Sequence, residues 1–172
     1  MKRPFVFWAG LFSILVAGPG LLALDPISGS IKQILDHRGD DFASIRKDPQ
    51  GSGDEIVYSS TVLVPGAMKC YVAPTAKPRY SNDCNVLETK NHAVLSAKYK
   101  NYVKALHDAS PASWTTWTKS TAKPAAEYTY TGPDKAHPAA AVHWALEGMN
   151  MDWYDLSVTF YAEGYPAETE QQ

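Results

Sequence analysis

What the chain lacks narrows its chemistry first. Its 172 residues contain no Walker loop, no G-x-G-x-x-G, no G-x-S-x-G elbow, no H-E-x-x-H and no EF-hand loop. The reactions whose residue spacing can be read directly therefore have no foothold. Five histidines, His37, His92, His107, His137 and His143, are scattered without the close pairs of a metal site. Basic residues do not outnumber acidic ones, at 16 against 18, which argues against nucleic acid as the main partner. Internal repeats and low-complexity tracts are also missing, so one ordinary folding unit is the expectation.

The single long apolar run lies at the start. Lys2-Arg3 precedes it, Gly18-Pro19-Gly20 interrupts it, and small residues end it at Ala23. That is the charge, length and ending of a secretory signal, and it falls short of the roughly 20 apolar residues of a spanning helix. Residues 1–23 are expected to be a cleaved signal peptide and residues 24–172 a single domain. No cysteine stands near the cleavage point, which argues against a lipid-anchored protein. With the signal removed the chain carries 14 basic and 18 acidic residues. A periplasmic or extracellular location is expected.

Cysteine is scarce too: Cys70 and Cys84 are the only two. Both lie in the stretch 58–87, around which the rest of the chain is organised, and they face each other across any hairpin whose turn centres on Lys77. Export would preserve a disulfide between them. For the 15-residue loop this closes, chain entropy assigns about 3 kcal/mol. The alternative is a catalytic thiol, paired with His92 or His143; an even cysteine count in an exported chain disfavours it.

Hydrophobic spacing supplies the elements. Ile27, Ile31, Ile34, Leu35, Phe42 and Ile45 recur as one helical stripe, interrupted by Gly39. Residues 48–54 read as a loop. Strands are expected over 56–64, then around Met68, Cys70 and Val72, then around Cys84 and Val86. Thr89 would cap a second helix whose stripe is Leu95, Tyr99, Tyr102, Val103 and Leu106, its lysines forming a solvated face. After a polar linker come strands over 127–131, 139–146 and 153–162, although the alanines of 139–146 also suit a helix. The expected fold is α+β: a single antiparallel sheet of about six strands, two helices on one face, order α-β-β-β-α-β-β-β.

Candidate functional residues are aromatic. Trp114, Trp117, Tyr128 and Tyr130 fall within seventeen positions, and Tyr128 and Tyr130 must share one face of a regular strand. On a face without helices they would form a binding platform; on the other they would fill the core. The acid pairs Asp40-Asp41 and Asp152 with Asp155 are read as solvated loop residues. No cofactor and no metal is implied.

Taken together, the signal, Asp41-Phe42-Ala43-Ser44-Ile45-Arg46, Pro65-Gly66-Ala67-Met68-Lys69-Cys70, Tyr80 with Cys84, and a helix carrying Tyr99 resemble small uncharacterised exported bacterial proteins. Where that pattern often has a further cysteine before the tryptophan after the second helix, this chain has Ala109-Ser110-Pro111-Ala112-Ser113-Trp114. The resemblance implies export and brings no activity with it. Two functions stand open: a non-catalytic binding module for a protein, including a toxin to be neutralised, or for a small ligand; and a hydrolase without a recognisable motif.

Overall fold

The computed structural model describes residues 25–52, 56–75, 79–122, 125–148 and 152–164. The expected signal peptide, the Lys77 turn and the tail beyond 164 lie outside them. Helix α1, Pro26–Asp36, starts where the Asp25 side chain accepts hydrogen bonds from the Ile27 and Ser28 amides, with proline at the first helical position. Its Ile31 and Ile34 are fully buried. The helical stripe expected to run on to Ile45 ends at Asp36. Two consecutive left-handed residues, Asp41 and Phe42, separate two short 3-10 turns and redirect the chain. Phe42 and Ile45 thus reach the core from a loop.

Eight antiparallel strands form one sheet, where six were expected. They are β1 (Arg46–Gln50), β2 (Val57–Ser60), β3 (Lys69–Pro74), β4 (Tyr80–Thr89), β5 (Thr115–Ala122), β6 (Ala125–Gly132), β7 (Ala140–Glu147) and β8 (Trp153–Tyr161). Helix α2, His92–Ala109, stands between β4 and β5. The true order is α-β-β-β-β-α-β-β-β-β, and the spatial order is β1-β2-β3-β4-β8-β7-β6-β5. The two unexpected strands, β1 and β5, are the two edges. Their residues are nearly all exposed, so neither carries the apolar alternation by which a half-buried strand is recognised. Residues 139–146 resolve as strand: the small alanines of β7 let it sit between β6 and β8.

The Cys70–Cys84 disulfide is present, and its cysteines are opposed in the β3–β4 register as the spacing required. Both are buried in a core built from α1, α2 and one sheet face. Met68, expected beside them, is instead 59% exposed, because β3 begins only at Lys69. The N-cap of α2 is Asn91 in place of Thr89, which is the last residue of β4. Leu95, Tyr99, Tyr102 and Leu106 carry the expected stripe inward, joined by Ala105 and Ala109. Tyr102 donates from its hydroxyl to the Pro65 carbonyl at 2.6 Å, clamping the turn before β3. At Gly66 (φ +86°) an added Cβ would lie 2.8 Å from that hydroxyl, so only glycine fits both the backbone and the clamp.

Candidate functional site

Strand parity decides which side chains meet the helices. The Tyr99 and Thr129 hydroxyls share a hydrogen bond of 2.7 Å, so Thr129 points to the helix side and Tyr128 and Tyr130 to the other. The cross-strand register extends this to the whole sheet. One row on the helix-free face runs Tyr71, Asp83, Thr159, Ala141, Tyr130, Trp117; the next runs Lys69, Asn85, Ser157, His143, Tyr128, Lys119.

At the β5–β7 end of these rows stands a ladder of near-parallel rings. Trp117 stacks on Tyr130 with centroids 5.5 Å apart, Tyr130 on Tyr128 at 5.9 Å, and Tyr128 on His143 at 5.0 Å, each pair within 16° of parallel. Offset stacking of this kind adds to what burial alone supplies. All four rings are half-buried, none lost in the core.

The β4 and β8 section of the same face is acidic and hydroxyl-rich. Asp83 accepts from the Ser81 hydroxyl at 2.6 Å and from the Thr159 hydroxyl at 2.7 Å. Asp155 accepts from the Ser157 hydroxyl at 2.8 Å and from the Asn85 amide at 3.0 Å. Among the described residues neither carboxylate has a basic group within ion-pair distance; the neighbouring Lys69 lies over the Tyr71 ring. Burial pushes the Asp83 carboxyl above its usual range, against the lowering effect of its two hydroxyl donors and of His143. Burial likewise holds His143 below the usual imidazole value, with Asp83 and Asp155 pulling the other way. The Tyr71 phenol is raised, first by burial and then by the same two acids. Two buried polar atoms here have no hydrogen-bond partner: Asn85 Oδ1 and His143 Nδ1.

Three of the four aromatic residues singled out by sequence, Trp117, Tyr128 and Tyr130, come together. Trp114 does not join them. It lies under the Arg38 guanidinium, 5.3 Å from ring centroid to Cζ, and lines a cavity of about 580 Å³ between α1 and the end of α2. Asp152 pairs with Lys90, Asp41 with Arg79, and Asp40 holds Ser44; only Asp155 of these acids reaches the face. Sequence reading missed Tyr71, Asp83, Asn85 and His143 as a group. The signal was present: with Cys70 and Cys84 opposed and inward, their neighbours Tyr71 and Asp83 are opposed and outward.

Catalytic arrangements fare less well. Both cysteines are tied in the disulfide, so no thiol nucleophile exists among the described residues. Ser157 is opposite His143 but gives its proton to Asp155. Ser44 Oγ lies 2.7 Å from His37 Nδ1 and donates to Asp40 at 2.5 Å, which places serine between base and acid, the wrong order for a triad. No three histidine, cysteine or acidic residues among those described could hold a metal.

Comparison with family models, with curated proteins and with solved structures found no match for this chain. Its class is defined by geometry: an α+β protein with one sheet face packed on two helices and the other free of them. The disulfide, and the lack among the described residues of any helix long and apolar enough to cross a membrane, are compatible with a periplasmic or extracellular setting.

Proposed function

We propose that the protein is a non-catalytic, exported binding module that meets its partner with the helix-free face, using Trp117, Tyr130 and Tyr128 as anchors. The observation that carries this reading is the ring ladder itself. Aromatic side chains are the residues that a core buries first, and here they are stacked on the face no helix covers. Anchors of this type typically contribute about 2 kcal/mol or more to binding, equivalent to a roughly 30-fold change in Kd.

The test is to make Trp117→Ala, Tyr128→Ala and Tyr130→Ala, with Trp114→Ala as the helix-side comparison, and to measure thermal stability and partner retention for each. Retention is read by pull-down from the native extract. Loss of retention by the three ladder variants, beyond what their change in melting temperature explains and with Trp114→Ala unaffected, is the expected result. If retention falls only in proportion to unfolding, the rings are core and the reading is wrong.

A further inference from the structure

The chemistry beside the ladder narrows what the face receives. The serine and threonine hydroxyls around the two carboxylates have their protons committed: Ser81 and Thr159 donate to Asp83, and Ser157 donates to Asp155, as does the Asn85 amide. What these acids and Asn85 have left over is acceptor capacity, namely the remaining carboxylate lone pairs and the partnerless Asn85 Oδ1. A ligand completing this surface must bring donors. A bare metal ion lacks a built cage, since no three candidate ligands converge among the described residues.

Charge points the same way. Half-buried carboxylates are ordinarily paired, yet Asp83 and Asp155 have no lysine or arginine partner among the described residues, their one basic neighbour being His143, and Lys69 is turned to the Tyr71 ring. Tyr71 on β3 stands directly opposite Asp83, which suits a cation reaching the acids past a ring. From β3 to β5 the face is six strands wide, about 24 Å at the usual interstrand spacing. That is the reach of roughly seven extended residues. An ammonium or guanidinium carries three or five donors and no acceptor.

We propose that the helix-free face takes a basic side chain, lysine or arginine, from an extended segment of a partner protein, with Asp83 and Asp155 as its counter-charges and Tyr71 as its aromatic wall. This rests on the reading of that face as the recognition surface and names the chemistry it selects.

The probe is a short acetylated and amidated peptide of alternating glycine and lysine, titrated into the full folded domain and followed by calorimetry. Its counterpart with every lysine Nε-acetylated, and spermidine, form the other arms. Saturable binding of the charged peptide is expected, with at least tenfold weaker binding of the acetylated peptide. Asp83→Asn combined with Asp155→Asn should weaken the charged peptide at least tenfold. Asp36→Asn combined with Asp108→Asn removes the same charge from the helix side and should change affinity less than twofold. If the Asp83/Asp155 variant does not fold, Asp155→Asn alone carries the test, with a threefold loss expected. Equal binding of the acetylated peptide, equal losses from the two acid pairs, or no saturable binding overturns the inference. Spermidine binding as tightly as the peptide overturns the choice of a protein segment over a free amine. Should the native partner be retained by the Asp83/Asp155 variant yet lost by the ladder variants, the basic-ligand inference fails while the face remains the recognition surface.

Discussion

Asp83 combines a cost to folding with the proposed binding role in one side chain. Its folded pKa is raised above the ordinary 3.8, with burial as the leading cause. Across the window from 3.8 up to that raised value the native state holds more protons than the unfolded chain, so stability falls as pH rises, and the penalty persists above it. Asp83→Asn keeps the shape and removes the titration. Relative to wild type, its melting temperature should gain steadily across that window and be no lower at pH 7; a variant clearly less stable at pH 7 would mean that the Ser81 and Thr159 bonds outweigh desolvation. His143 has the opposite sign. Its folded pKa is depressed below 6.5 by burial, so the unfolded chain binds protons first and stability falls as pH drops from 6.5 towards the folded value. His143→Gln should flatten that acid-side loss in a comparison of melting temperature against pH, and an unchanged slope would show that the ring already charges freely in the folded state.

Among the elements, the β3–β4 hairpin ties the two faces together. Its disulfide lies on the helix side, while Tyr71 and Asp83, one residue along, lie on the other. Replacing both cysteines by serine should therefore cost up to about 3 kcal/mol of stability, or roughly 6–12 °C in melting temperature, and leave binding on the helix-free face intact. Binding lost at unchanged stability would contradict that division of roles. Ile34→Asp puts a charge where α1 is fully buried and should unfold or severely destabilise the domain in a denaturant titration. Lys100→Ala, on the exposed side of α2, should move stability by less than about 0.5 kcal/mol.

The same elements show what could be read from sequence. The α2 stripe, the part of the first stripe from Ile27 to Leu35 and the cysteine pairing were legible because each rests on burial with a definite period or register, whereas the left-handed Asp41 and Phe42 that end the first stripe leave no such signal. Edge strands β1 and β5 were not, since Lys47, Asp48 and Pro49 in one and the threonines of the other look like loop when neither face is apolar. Tyr128 and Tyr130 were legible as a pair, but which face they take depends on Thr129 meeting Tyr99, a contact 30 positions apart. Asp83 and Asn85 drew no reading, because polar residues alternating with Cys84 and Val86 have the pattern of any outward strand face.

At the scale of the molecule, each helix is followed by a four-strand meander, and the two meanders join where β4 pairs with β8. Both helices and the disulfide pack on one face and leave the other free of them. The acids sit at the central join and the rings on the strands leading to the β5 edge, so the candidate surface draws on both halves. The most direct test of this account is hydroxyl-radical footprinting of the protein, alone and after addition of the native extract that holds its partner. Protection of Trp117, Tyr128 and Tyr130 is predicted, with Trp114 beside α1 and α2 unchanged; protection of Trp114 with the ladder still reactive would contradict it.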